Sequence, residues 1–148
     1  MQDVSISIFD NIKEQFKLNN TELAKYSPLT LAFIGDCVFD LVVKSVVVLE
    51  GNCPANMLHR KSAHIVKAES QSRMTDYFIE NELLSEAEKD VVRRGRNAKS
   101  YTTAKNASVS DYRKATGIEA LIGYLYLDGR TDRIVELIKL GMEYVRSL

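Results

Sequence analysis

Two acidic residues stand in apolar company. Asp36 follows Leu31-Ala32-Phe33-Ile34-Gly35 and precedes Cys37-Val38-Phe39. Glu119 lies in Thr116-Gly117-Ile118-Glu119-Ala120-Leu121-Ile122-Gly123. An ionised carboxylate among apolar neighbours is costly unless it is paired, hydrogen-bonded or bound to a metal. Two such segments in one small chain suggest that the carboxylates meet, and convergent carboxylates make a seat for Mg²⁺. Asp40 comes one helical turn after Asp36 and shares its face. Gly35, Gly117 and Gly123 flank the two acids. Each costs a helix roughly 1 kcal/mol against Ala, so three together point to close approach of helices or a ligand. The plain alternative is a pair of packing acids matched by Arg, Lys or His. Pattern alone leaves both readings open.

A second constellation is basic. Arg93, Arg94, Arg96, Lys99, Lys105, Arg113 and Lys114 fall in one stretch whose single acid is Asp111. Tyr101 and Tyr112 are interleaved, and Asn97 and Asn106 add neutral hydrogen-bonding groups. Guanidinium forks suit phosphate oxygens, and several such contacts give strong, salt-sensitive binding to nucleic acid. The same residues also fit a solvated helix end, where cations are favourable. The strip leads directly into the Glu119 segment, which tips the reading toward Arg93, Arg94, Arg96, Asn97, Lys99, Lys105 and Arg113 as RNA contacts. His59 and His64 lack the spacing of two ligands on one helix face, and a surface or packing role suits them better. His59 beside Arg60 and Lys61 offers a weaker RNA contact. Neither a Gly-rich phosphate loop nor a nucleophile elbow is present. Cys37 and Cys53 form no CxxC pair, and Cys37 reads as a small core residue.

The elements that must position these residues read as helices throughout. Two prolines and seven glycines in 148 residues favour long helices over many short strands. Ile8, Ile12 and Phe16 mark an amphipathic first helix, and Thr21-Glu22 a further turn. Pro28 opens a helix that carries Asp36 to about Glu50, where Gly51-Asn52 ends it. Pro54 opens a helix running past Phe78. Ser85 and Glu88 form a capping box for a helix ending near Gly95. Asn97 to Ser108 reads as loop. A helix from about Val109 carries Glu119 to Asp128-Gly129, and Thr131-Asp132 caps the last. Lys+Arg and Asp+Glu are both 20, so any nucleic-acid surface must be local. The N-terminal residues do not resemble a signal or transit peptide. Val42 to Leu49 is too short and too charged to span a bilayer. The expectation is an all-α helical bundle, one domain over residues 1–148, in the cytoplasm and away from membranes.

The segment Leu31 to Leu41 resembles the ribonuclease III signature, in which a Gly-Asp pair follows an apolar stretch. Ile118 to Gly123, ending in Tyr126-Leu127-Asp128, is similar to that family's second acidic motif. Arg93-Arg94-Gly95-Arg96-Asn97-Ala98 resembles its one-domain branch, Mini-ribonuclease III. The resemblance runs from about Leu29 to Asp128. It implies a ribonuclease III-type endonuclease fold without the double-stranded-RNA-binding domain of larger relatives. It implies Asp36 and Glu119 as metal-binding catalytic carboxylates, Mg²⁺ as cofactor with Mn²⁺ as a substitute, and products with 5′-phosphate and 3′-hydroxyl ends. It further implies a homodimer with Phe33 at the interface. The implied substrate is double-stranded RNA at the ends of precursor 23S ribosomal RNA, with a large-subunit ribosomal protein aiding recognition. Longer relatives carry Glu where this chain has Ala32 and Asp where it has Thr116, so the acidic cluster is a reduced one. Asp40 is then a candidate for indirect metal contact through water. The rivals are a non-catalytic RNA-binding or scaffold relative and, more distantly, a helical interaction domain with no RNA role.

Overall fold

A computed structural model describes residues 7–99 and 108–148, and the chain there is helical as expected. In order come α1 (Ile8–Phe16), a 3₁₀ turn (Leu23–Lys25), α2 (Pro28–Glu50), α3 (Ala55–Val66), α4 (Ala68–Glu80), α5 (Glu86–Asn97), α6 (Val109–Leu127) and α7 (Thr131–Ser147). Serine sets the start of four of them. Ser7, Ser27, Ser85 and Ser108 each accept a hydrogen bond from the backbone N–H three residues on, satisfying a donor that the helix cannot. Ser85 and Glu88 complete the expected capping box. Gly129, at φ +72°, supplies the left-handed turn between α6 and α7.

The organising element is α6. Ala115 to Ala120 and Leu121 to Leu125 are buried on nearly every side, the mark of a central helix. It packs against α2, α4 and α5. Phe39, Val43 and Val47 of α2 join Ile118, Leu121, Ile122 and Leu125 of α6, Met74 and Phe78 of α4, and Leu137 and Ile138 of α7 in one core. Thr75 Oγ1 donates to the Lys114 carbonyl at 3.0 Å, and Lys114 Nζ pairs with Asp76 at 3.0 Å. These two contacts tie α4 to α6.

Three expectations are corrected. The helix from Pro54 past Phe78 is two helices, α3 and α4, separated at Lys67, whose backbone is extended. Ser70 Oγ donates to the His64 carbonyl at 2.6 Å, taking an acceptor that a continuous helix would have used. Cys37 is exposed, not core. It lies one turn from Phe33 and one from Leu41 on the outward side of α2, while Val38 and Phe39 face inward. The amphipathic first helix is present as expected, with Ile8, Ile12 and Phe16 exposed along one side of α1. The last helix opens after Arg130 with no side-chain cap, so Thr131-Asp132 does not cap it. Lys105, Tyr101 and Asn106 lie outside the described residues.

Candidate active site

Two glycine-lined crossings set the site on α6. A Cβ added at Gly35 would stand 1.7 Å from the Glu119 carbonyl oxygen, and one at Gly123 would stand 1.9 Å from that of Leu31. Backbone therefore meets backbone where α2 crosses α6. The second crossing joins α5 to α6. A Cβ at Gly117 would meet the Val92 carbonyl oxygen at 2.8 Å, and one at Gly95 would meet Ala120 Cβ at 2.9 Å. Helices usually pack at 8–10 Å between axes, and bare glycine is what allows a tighter approach. The expected close-approach role of Gly35, Gly117 and Gly123 is thus seen directly, and Gly95 shares it.

The first crossing brings Asp36 and Glu119 together. Glu119 is half-buried where α2 crosses α6, whereas Asp36 is exposed. This corrects the symmetrical picture of two acids sunk in grease. Burial first, then a hydrogen bond with Asp36 and its negative charge, push the Glu119 carboxyl up to about 9. Glu119 is therefore held in its protonated form beside Asp36 at neutral pH. Exchanging that proton for a divalent cation relieves both the desolvation and the repulsion, so the donor set fits a hard, oxygen-seeking ion. Among the described residues no group of three or more His, Cys, Asp and Glu side chains is placed to hold a metal. Ala32 and Thr116 account for the small number. Ala32 is buried one turn before Asp36. Thr116, one turn before Glu119, spends its hydroxyl on the Tyr112 carbonyl at 2.9 Å. Asp40 pairs with Lys44 at 2.9 Å on the same helix.

The second crossing brings the basic strip close. Arg96, Asn97, Ser110 and Arg113 line an open pocket of about 310 Å³ between the end of α5 and the start of α6. Because Gly95 and Gly117 lock these helices together, the pocket is held to the helix that carries Glu119. Arg94 is half-buried and Lys99 exposed. Arg93 pairs with Asp90 on its own helix and does not line the pocket.

Sequence reasoning named Arg60 and Lys61 only beside His59 and missed the groove they form with His64 and the Glu50–Arg146 ion pair, about 580 Å³ in volume. Its signal was the absence of any acid in α3. It also missed Arg133, which donates to both oxygens of Glu88 at 2.9 and 2.8 Å and to the Leu83 carbonyl at 2.7 Å. Glu88 is 2% exposed, and its capping-box position concealed this long-range partner.

The structure thus defines an all-α domain with two carboxylates at a Gly-to-Gly helix crossing and a guanidinium-lined pocket at the start of the same central helix. The Ribonuclease III domain family matches residues 29–130, a span containing both crossings. A curated Mini-ribonuclease 3 from Thermoanaerobacter sp. (strain X514) is 46% identical over 136 residues, covering 88% of this chain and 94% of that protein. One from Staphylococcus aureus is 46% identical over 112 residues, covering 76% and 84%. A crystal structure of a Fusobacterium nucleatum protein superposes with a TM-score of 0.74 at 28% identity, covering 84% of this chain and 98% of that one. The chain belongs to the ribonuclease III family. Its relatives put it in the Mini-ribonuclease III branch, and it is an endoribonuclease of the type that acts on double-stranded RNA. Enzymes of this family depend on divalent metal and typically work as dimers. Among the described residues no helix is long and apolar enough to cross a membrane.

Proposed function

We propose that the protein is a Mg²⁺-dependent endoribonuclease whose catalytic, metal-holding residues are Asp36 and Glu119, and that its substrate is a duplex at the ends of precursor 23S ribosomal RNA. The observation that carries this reading is the backbone-to-backbone crossing of α2 and α6 at Gly35 and Gly123, which brings Asp36 beside Glu119, with burial and the neighbouring carboxylate pushing Glu119 up to about 9. A group so perturbed in a site of close helix approach is a strong candidate for chemistry. When bound, Mg²⁺ supplies an acidified water as nucleophile and neutralises charge at the scissile phosphate. The chain's own residues do the rest. Asp36 and Glu119 hold the ion's charge in place, and Arg96, Asn97 and Arg113 take phosphate oxygens next to it. Cleavage on this reading leaves 5′-phosphate and 3′-hydroxyl ends. Recognition goes through backbone and shape, as A-form duplexes require.

The working unit is a homodimer in the cytoplasm. Phe33, 79% exposed on the outward side of α2, packs across its interface. A large-subunit ribosomal protein bound to the precursor RNA helps present the duplex. The test is incubation of purified protein with a duplex copied from a precursor 23S end, in Mg²⁺ and in EDTA, with the product ends identified. Discrete cleavage in Mg²⁺ and none in EDTA is expected. A second reading is favoured by the buried Ala32 and the self-satisfied Thr116: a relative that binds duplex RNA without cutting it. Tight binding with no cleavage in Mg²⁺ or Mn²⁺ supports that reading and rejects the first.

A further inference from the structure

The first helix carries an apolar stripe that a single protomer leaves unused. Ile8, Ile12 and Phe16 recur every fourth residue and are 70%, 42% and 71% exposed. No residue of α1 is buried. The helix is held by the Phe9 ring against Tyr126, with centroids 4.7 Å apart, and by Lys13 lying over Phe9. At roughly 100° per residue, the stripe spans about 80° of α1, and Phe9 and Lys13 follow about 20–60° further round. The unused stripe thus borders the side that touches the body. Ile8 lines an apolar pocket of about 530 Å³ together with Cys37 and Leu41 of α2 and Val135 of α7. On α2, Phe33, Leu41 and Val48 are 79%, 57% and 56% exposed. The exposed apolar residues of the two helices therefore meet at this pocket, through Ile8 of α1 and Leu41 of α2.

The area argues for what covers it. A large aromatic such as Phe33 buries about 150–250 Å², so the few outward residues of α2 offer several hundred Å² per subunit. A stable interface takes roughly 800 Å² from each partner. The stripe of α1 and Val135 are the apolar surface that adjoins α2 and narrows this gap. A nine-residue helix is marginal by itself in water, so its exposed stripe gains most from a partner.

We propose that α1 is an inter-subunit clamp: in the homodimer, Ile8, Ile12 and Phe16 of each chain pack against α2 of a second copy. Two-fold symmetry then makes the contact twice, one clamp closing over each end of the interface. The inference rests on the dimer reading above but goes beyond it, because α1 lies outside residues 29–130, which the family domain matches.

Sedimentation over a concentration series tests it, with the wild-type chain, Phe33→Asp and Ile12→Asp/Phe16→Asp. The wild type is expected to dimerise. The α1 variant is expected to raise the dimer Kd at least ~100-fold, since truncating buried interface anchors commonly costs this much, with helix content by circular dichroism unchanged. An α1 variant that dimerises like the wild type overturns the clamp and leaves the dimer intact. A wild type that stays monomeric at every concentration removes both readings, and Phe33→Asp tests the α2 contact alone. Should the double variant lose helix content, Phe16→Ser at the last, exposed position of α1 takes its place. A ~10-fold weaker dimer supports the clamp, and an unchanged one rejects it.

Discussion

Replacing Glu119 by Gln should stabilise the metal-free protein while abolishing its response to metal. The native site holds the Glu119 proton up to about pH 9, against 4.5 for the ordinary group. The native state thus keeps a proton that the unfolded chain gives up above about 4.5. Stability falls as pH rises from there to about 9. Keeping that proton at pH 7 on a group that ordinarily loses it near 4.5 costs ~3 kcal/mol, at about 1.4 kcal/mol per pH unit. Gln has nearly the same shape, needs no proton, and its amide can still donate to Asp36. In EDTA at pH 7, Glu119→Gln should therefore gain about 2–3 kcal/mol, or ~5–10 °C in Tm for a chain of this size. The gain should shrink toward zero as the pH falls to 4.5 and grow toward 9. Mg²⁺ should raise the Tm of the wild type but not of the variant. Calorimetry in buffers of different ionisation enthalpy should detect about one proton released per ion bound at pH 7. A variant that melts at or below the wild type in EDTA, with no pH trend, refutes the reasoning. So does Mg²⁺ binding without proton release.

Other perturbations have equally definite outcomes. Gly35→Ala puts a Cβ within 1.7 Å of a backbone oxygen that cannot step aside, so α2 must separate from α6. A loss above ~4 kcal/mol, or no folded protein, should appear in urea denaturation. Arg133→Met strands the buried Glu88, whose carboxyl Arg133's hydrogen bonds hold below the ordinary range. The expected cost is ~3–5 kcal/mol near pH 7. The stabilisation of the pair is present above about pH 4.5 and is lost as the pH falls through the lower native value. Arg96→Ala and Arg113→Ala should each weaken duplex binding and reduce the magnitude of the log–log salt slope by about 0.7–0.9. Filter binding at several salt concentrations measures this.

Much of the fold was legible because the sequence states it locally. Pro28, the Ser85–Glu88 box and Asp128-Gly129 mark helix ends through their own backbone chemistry. The close-approach glycines were legible for the same kind of reason: a helix keeps a Gly at a cost, so three beside two acids required an explanation. What failed depended on contacts distant in the chain. The break at Lys67 hangs on the Ser70 hydroxyl reaching His64. The exposure of Cys37 depends on which side of α2 turns away from α6, and periodicity ranks the sides poorly in a helix whose apolar residues run nearly all round it. The difference between exposed Asp36 and half-buried Glu119 follows from α6 being packed on nearly every side while α2 keeps one side outward. The Glu88–Arg133 pair spans 45 residues and has no local signature.

The central claim is that Asp36 and Glu119 together hold the metal that cuts RNA. Single-turnover cleavage of a precursor-derived duplex by the wild type, Asp36→Asn and Glu119→Gln, at saturating protein and across a Mg²⁺ series, tests it most directly. Each variant is expected to bind the duplex with unchanged affinity and to cut it at least ~10³-fold more slowly, equivalent to about 4 kcal/mol of lost transition-state stabilisation, with no recovery at high Mg²⁺. Cleavage by both variants at near wild-type rates contradicts the account.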